Sequence, residues 1–442
     1  MNAQFGRRCF PFAVTPVLDD RRSASRITFS VRSGLLVPVV RGVITPPRLR
    51  RTPHAPCPRK DHTMTSTLER PVTSQDQPVR TLGVLGTGAG GHGVLHADGA
   101  RPSSRDVQVP PALIRRYGLR RGDLVEGTCE RPLTLSGVDT VNGRPAHTLR
   151  GRPHFRDLTP LHPRERLRLE RPEGGPAPRI IDLLAPVGKG QRGLIVAPPK
   201  TGKTVLLQQI AASVAENHPE CHLMVVLLDE RPEEVTDMRR SVRGEVYSST
   251  FDRSAKEHVA LADLAVERAK RLVEQGRDVV VLLDSLTRLC RAHNNSAGAG
   301  GRTLSGGVDA AALMGPKKLF GAARLAEEGG SLTILATVLV ETGSRADDYF
   351  FEELKSTGNM ELRLDRALAD RRVFPAVDVT PSGTRREELL LPPADLAAVR
   401  GLRRALRTRD AQATLEALLD RIRRTPDNAA FLQQVRHTVP DA

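Results

Sequence analysis

The sequence predicts an α/β protein: a parallel sheet covered by helices on both faces, preceded by a small β-barrel and followed by a helical tail. Three observations carry this. From Ile180 onward, strand-length apolar runs alternate with amphipathic helical segments, the pattern of parallel strands joined by crossover helices. From Arg80 to about residue 152, short apolar segments separated by Gly and Pro turns follow one another closely, as in a small barrel. Beyond about residue 394, apolar residues recur at helical spacing to residue 438.

Residues 1–79 have no sustained period and many breakers, among them Pro11, Pro16, Pro38, Pro46 and Pro47. The first 63 residues hold twelve Arg or Lys against three Asp, which is +9 of the chain's +16. An organelle transit peptide and a disordered basic arm both fit such a composition. A third reading, which we favour, starts synthesis at Met64 and treats the preceding residues as an over-extended reading frame. No folded domain is expected there.

In the barrel region, 80–152, strands are expected at Thr81–Leu85, Gly93–His96, Val107–Val109, Leu124–Cys129 and Ala146–Arg150, with one helical turn at Ala112–Tyr117. A five-stranded oligonucleotide-binding (OB), cold-shock-like barrel of ~70 residues fits this span, as does any other small β-barrel. Residues 153–179 read as a linker. In the main domain, 180–442, strands are expected at Leu194–Ala197, Leu223–Leu228, Val279–Leu283 and Leu332–Leu339. Leu261, Leu264, Ala265, Ala269, Leu272 and Val273 repeat at helical spacing and stop at Gly276. The tail predicts helices at Asp395–Arg407, Ala411–Arg424 and Ala429–Thr438.

The charge that remains after residue 63, +7, suits an anionic partner such as nucleic acid or nucleotide. Its apolar runs are strand-length, short of the ~20 residues of a membrane span, so no membrane is implied. The five cysteines, Cys9, Cys57, Cys129, Cys221 and Cys290, are scattered and without metal-ligand spacing. They read as free thiols in a reducing cytoplasm.

The chemistry centres on Ala197-Pro-Pro-Lys-Thr-Gly-Lys-Thr204, which follows an apolar strand and opens an apolar-periodic helix. That is the context of a phosphate-binding loop, in which backbone N–H groups and the helix N-terminus hold a polyphosphate. Lys203 would reach the β- and γ-phosphates, and the Thr204 hydroxyl would ligate Mg²⁺. The first glycine of the usual pattern is Ala197, which fits if its φ stays negative, whereas Gly202 needs the freedom of glycine. Asp284 ends the strand Val279–Leu283, where a carboxylate beside Mg²⁺ would sit; alone such an Asp is more often a helix cap, but about 80 residues after a phosphate loop the Mg²⁺ reading is favoured. Asp229 and Glu230 end another strand. One of them, Glu230 by our choice, could deprotonate the attacking water, or the run could be a capping acidic turn.

These segments, with Leu228-Asp-Glu-Arg-Pro-Glu-Glu-Val235, Leu283-Asp-Ser-Leu-Thr-Arg288, Gly306-Gly-Val-Asp309, Phe320-Gly-Ala-Ala-Arg324, Thr357-Gly-Asn-Met-Glu361 and Arg372-Val-Phe-Pro375, resemble the bacterial transcription termination factor Rho family from about residue 80 to the C-terminus. The resemblance implies a RecA-like P-loop ATPase that forms a homohexameric ring. Such a ring would bind nascent single-stranded RNA, move 5′ to 3′ with ATP and Mg²⁺, and free the transcript from the RNA polymerase elongation complex. It further implies that Gly188, Lys189, Gly190, Gln191, Arg192 and Gly193, together with Lys200, Thr201, Gly202, Lys203, Thr204 and Val205, contact nucleotide. Phe374 would stack on adenine. Glu230 would be the base, Arg231 a γ-phosphate sensor, Asp284 the Mg²⁺-side acid, and Arg385 an arginine finger given to the adjacent subunit. Without the resemblance, Arg385 reads as an exposed partner of Glu387 or Glu388. Rival readings are a rotary or recombination ATPase, and an RNA-binding ring that uses ATP mainly to assemble.

Two stretches match the family's RNA-contacting channel loops: Asn294–Gly307, with Arg302 and Thr303, and Glu341–Arg345, with Gly343, Ser344 and Arg345. Their plain alternative is surface linkers. The barrel departs from the family. Where a Gly-Phe-Gly-Phe-type strand would stack on bases, this chain has Gly91, His92, Gly93, Val94, Leu95 and His96. Asp106 and Val107 also fall on the RNA-binding stretch, and Gln108 and Pro145 stand where the family has other aromatics. With Arg115, Arg116, Arg120, Arg121 and Arg144 retained, RNA binding should depend more on charge and less on base identity.

Overall fold

Alternating burial sets the strands of the barrel. The computed structural model describes residues 79–88, 90–97, 102–130, 133–149, 151–296, 304–406 and 410–438. Expectations for residues 1–78, Arg150, Arg302, Thr303 and Arg407 therefore lie outside the described residues. The barrel comprises β1 (Val79–Thr87), β2 (Gly93–His96), β3 (Val107–Val109), α1 (Pro111–Tyr117), β4 (Leu124–Glu130), β5 (Thr134–Val141) and β6 (Arg144–Pro145). The strand order is β3-β2-β1-β4-β5-β6, and a β3–β5 pairing at Gln108 and Thr134 closes it. Leu85, Leu95, Val107, Val109, Val125, Leu135 and Val141 form its core. Gly93 faces inward as well: a Cβ there would come within 2.7 Å of Leu85. The sequence reading missed β5, whose alternation breaks at Gly137, where the β4–β5 register shifts. Ala146–Thr148, expected as strand, is a 3₁₀ turn.

The presumed linker is part of the main domain. Phe155 and Leu158 are buried, and the Phe155 N–H donates to Glu274 Oε1 at 2.8 Å. β7 (Pro160–Leu161) pairs with β14 (Arg324–Ala326), and β8 (Arg166–Leu167) with β9 (Val187–Gly188). Buried Asp182 accepts from the backbone N–H groups of Leu169 and Glu170. Apolar side chains at Phe155, Leu158, Leu167 and Leu169 were signal enough, but the prolines around them masked it.

The main sheet is built from β10 (Arg192–Ala197), β11 (His222–Glu230), β12 (Glu245–Thr250), β13 (Asp278–Asp284), β15 (Ser331–Leu339), β16 (Met360–Leu364) and β17 (Val377–Thr384). Their order is β12-β11-β13-β15-β10-β16-β17, parallel except for the antiparallel β17. Helices α2 (Pro176–Leu184), α3 (Lys203–Asn217), α4 (Pro232–Ser241) and the tail α10 (Pro393–Leu406), α11 (Ala411–Arg423) and α12 (Asn428–Thr438) cover one face. The other face carries α5 (Ala255–Val273), α6 (Leu286–Ser296), α7 (Met314–Phe320) and α8 (Arg345–Lys355). Accordingly β10 alternates, with Ile195 and Ala197 in one core and Leu194 and Val196 in the other. α9 (Arg366–Asp370) links β16 to β17.

A polar hub ties the barrel to α5. Buried Asp123 accepts from both Arg152 Nη atoms (2.6 and 2.5 Å), from Asn142 Nδ2 (2.8 Å) and from the Arg120 N–H (2.6 Å). Arg268 of α5 donates to Asn142 Oδ1 at 2.6 Å, and Arg120 pairs with Glu274 at 3.1 Å. Among the described residues, no helix is long and apolar enough to cross a membrane.

Candidate functional site

In a parallel sheet, the loops after the strand ends gather at one edge. That edge here holds the ends of β10, β11, β13 and β15. Ala197 stays in β10 without positive φ, whereas Lys200 (φ 68°) and Gly202 (φ 85°) turn the chain back into α3. The Thr201 hydroxyl donates to the Pro198 carbonyl at 2.8 Å and braces the loop. No side chain caps α3 at Gly202. Its first-turn N–H groups are left for an anion.

Lys203 heads α3, and its Nζ donates to Asp284 Oδ2 at 2.6 Å and to Glu230 Oε1 at 2.9 Å. Thr337 of β15 donates to the other Asp284 oxygen at 2.7 Å. Arg288 of α6 reaches Asp229 at 3.0 Å and Glu230 at 3.3 Å. Burial alone would depress the Lys203 ammonium, but Asp284 and Glu230 outweigh it and hold its pKa above the ordinary value. Burial, and then the Asp284 charge, push the Glu230 carboxyl above the ordinary carboxylate range, against Lys203 and Arg288. A carboxylate so shifted is the better proton acceptor. The Thr204 hydroxyl sits 3.4 Å from Glu234, and Arg231 is largely exposed at the start of α4, 3.5 Å from the same carboxylate.

A cavity of about 920 Å³ opens over this cluster. A second of about 400 Å³, more apolar, shares Lys200, Thr201, Gly202 and Val205 with it and is walled by Phe374, Gln209 and Leu364. The two together suit a polyphosphate joined to a flat apolar base. The Thr204 hydroxyl and the Asp284 and Glu234 carboxylates offer oxygen, the donor type Mg²⁺ takes, while Lys203 holds one Asp284 oxygen. Sequence reasoning gave no role to Arg288, Thr337, Glu234 or Gln209. The resemblance included Arg288 in its motif, but a threonine inside a strand carries no signal.

Gly188, Lys189, Gly190, Gln191, Arg192 and Gly193 lie elsewhere, at the amino end of β10, about 17 Å of strand from the phosphate loop. They cannot hold the same nucleotide as Lys203 within one chain. Their groups are also engaged: Lys189 pairs with Asp278 at 2.9 Å, Gln191 donates to Asn359 Oδ1 at 2.6 Å, and Arg192 donates to the carbonyls of Thr357 and Ala323. Gly190 is needed there because a Cβ would meet the Leu325 nitrogen at 2.3 Å. Arg385 sits at this same far edge, its N–H donating to the Asn359 carbonyl, and its charge helps to lower the Arg192 pKa after burial and Arg324.

On the barrel, Gly91, His92 and Gln108 are exposed and Val94 is half-buried, directly opposite Gln108 across the β2–β3 pair. Leu95 and Val107 are core residues (1% and 2% exposed), so their side chains are not available to RNA. His96 pairs with Asp106 at 2.8 Å, and Ser103 donates to the other Asp106 oxygen. Arg144 reaches the Gln275 carbonyl beside α5, away from that surface. Near the channel loops, Asn294–Ser296 are helical rather than loop. Ser344 caps α8, whose first residue is the exposed Arg345, and Gly343 has φ 77°. Gly306 packs on the Arg345–Ala346 backbone, so the two segments adjoin. Thr342 lines the larger cavity and donates to Asp347, which also holds Arg291 of α6.

Residues 178–384 match the family described as ATP synthase alpha/beta family, nucleotide-binding domain, and residues 81–147 the Rho termination factor, RNA-binding domain. Over 414 residues, 92% of this chain and 99% of the relative, the sequence is 68% identical to transcription termination factor Rho of Streptomyces coelicolor. The chain belongs to the Rho family. The Rho of Streptosporangium roseum is 62% identical over 347 residues, 78% of this chain and 90% of the relative. Outside the Rho family, an ATPase of the type III secretion system of pathogenic bacteria superposes with a TM-score of 0.52 at 24% identity, covering 59% of this chain and 83% of that one. The RecA-like core is thus common to both.

Proposed function

We propose that this chain is an RNA-stimulated ATPase and helicase. It would work as a homohexamer in the cytoplasm, move 5′ to 3′ on nascent single-stranded RNA and free it from the RNA polymerase elongation complex. As a member of the Rho family it is an RNA-binding, ATP-dependent transcription termination factor. The observation that supports the finer reading is Lys203, held between Glu230 and Asp284 beneath an uncapped helix start.

In this reading the phosphate loop and Lys203 bind the β- and γ-phosphates, and Phe374 takes the base. Glu230 accepts the proton of the attacking water, held in place by Arg288, while Arg231 senses the γ-phosphate. Thr204 and Asp284 would hold Mg²⁺, which when bound neutralises charge on the phosphates. Arg385, at the far sheet edge of its own chain, can act only on a neighbour's nucleotide, and this favours a ring. Gly188–Gly193 share that edge and would face the same subunit boundary. Exposed His92 and Gln108, half-buried Val94 and the α1 arginines would take RNA first, and Arg345 would touch it in the channel.

The test is release of labelled transcript from halted elongation complexes. Release with ATP, and none with a non-hydrolysable analogue or with Lys203→Ala, is expected. Equal release without hydrolysis would refute the proposal.

A further inference from the structure

At the sheet edge opposite the nucleotide cavity, α3 ends at Asn217 and the turn His218-Pro219-Glu220-Cys221 leads into β11. Three different side chains converge there. His218 Nδ1 lies 3.2 Å from Glu220 Oε1, Cys221 Sγ lies 3.7 Å from the same oxygen, and all three atoms are within 4.8 Å of one another. Zinc bonded to nitrogen and oxygen at about 2.1 Å and to sulfur at about 2.3 Å has tetrahedral edges of roughly 3.4 Å (N to O) and 3.6 Å (O to S). The two separations lie within about 0.2 Å of those edges, and the thiol now donates its hydrogen to the Glu220 oxygen that it would share with the metal.

The histidine is oriented as a ligand. Its Nε2 is 3.1 Å from the Arg168 carbonyl. A carbonyl only accepts, so Nε2 carries the hydrogen, and a neutral ring then points the Nδ1 lone pair at a carboxylate oxygen. Two acceptors face each other at 3.2 Å unless a proton or a cation stands between them. A backbone carbonyl on the distal ring nitrogen is the usual outer partner of a metal-bound histidine. Lys189 competes for Glu220 at 3.3 Å, but it has closer partners in Glu165 (2.5 Å) and Asp278 (2.9 Å), so Glu220 can turn to a metal without leaving the ammonium unpaired.

We propose that His218, Glu220 and Cys221 bind one thiophilic divalent cation, zinc, with water in the fourth position. Binding displaces the thiol proton to solvent. The site is about 22 Å along α3 from Lys203, so it is separate from nucleotide and Mg²⁺. Zinc there would clamp the end of α3 to the start of β11.

The experiment titrates the nucleotide-free full chain with cobalt(II) in excess Mg²⁺, then displaces cobalt with zinc. A thiolate-to-cobalt charge-transfer band saturating at one equivalent is expected, and zinc should raise the melting temperature. Cys221→Ser should lose the band while keeping parental ATPase activity. His218→Ala should weaken binding at least about tenfold, since even losing an outer partner costs about 10–100-fold. Cys221→His should keep zinc stabilisation without the band. No band in the parent protein would overturn the proposal, as would an unchanged band in Cys221→Ser, where the other four cysteines remain.

Discussion

Glu230→Gln separates proton transfer from nucleotide binding. The amide keeps an oxygen that accepts from Lys203 at the position where Glu230 now does so at 2.9 Å, and it fills the same volume. It loses the charge and the ability to take a proton. General-base catalysis contributes about 10²–10⁴-fold, or about 3–5 kcal/mol at 1.36 kcal/mol per decade. Turnover should fall by that factor. ATP affinity should change by less than about 0.7 kcal/mol, because the phosphate loop and Lys203 remain.

The raised Glu230 pKa adds a pH signature. In the parent, turnover should rise with pH as the carboxyl ionises, with an acid limb above the ordinary value of 4.5, and this limb should vanish in the variant. For stability the sign is opposite. A raised carboxyl favours the fold below the unfolded-state pKa, and the benefit is lost as pH rises through the folded pKa. At neutral pH Glu230→Gln should therefore melt no lower than the parent. Phosphate release and fluorescent-nucleotide binding across pH test this. Parental turnover, or equal losses in binding and turnover, would refute Glu230 as the base.

Arginine fingers contribute about 10³–10⁵ in rate, so mixing Arg385→Ala with Lys203→Ala subunits should recover activity at mixed interfaces. No recovery in verified mixed rings would contradict action in trans. Removing Arg115 or Arg116, both exposed on α1, should reduce the slope of log affinity against log salt by about 0.7 and weaken all RNA sequences alike. Because Val94 is half-buried beside exposed Gln108 rather than in the core, His92→Phe with Val94→Phe should tighten RNA binding by ~1–3 kcal/mol per base stacked without lowering the melting temperature. Unchanged affinity with a lower melting temperature would sink that idea. Asp123→Ala should destabilise by about 3–5 kcal/mol, read by thermal denaturation, since it strands Arg152 and breaks the hub facing α5.

What the sequence made legible was whatever rests on local pattern. Apolar runs marked β10, β11, β13 and β15, with acids ending β11 and β13, and the loop between β10 and α3 was readable because few other sequences turn a strand into a helix around Gly-Lys-Thr. β12, β16 and β17 were missed because their polar residues interrupt the apolar run: Glu245, Arg363 and Asp378 each sit on a sheet position. Site partners set by tertiary packing, such as Thr337 on Asp284, left no trace along the chain. The opposite placement of Gly188–Gly193 and Arg385 follows from strand direction, which one sequence does not display. The convergence of His218, Glu220 and Cys221 leaves no signal in cysteine spacing, because the turn brings a histidine and a carboxylate to a single thiol.

In the proposed mechanism, RNA occupancy drives hydrolysis at Lys203, Glu230 and Asp284. Phosphate release by the purified chain, measured with ATP and Mg²⁺ in the presence and absence of single-stranded RNA, tests it most directly. Slow release without RNA, strong stimulation with it, and neither in Lys203→Ala are expected; an RNA-independent rate, or RNA-stimulated release that survives in Lys203→Ala, would refute the proposed mechanism.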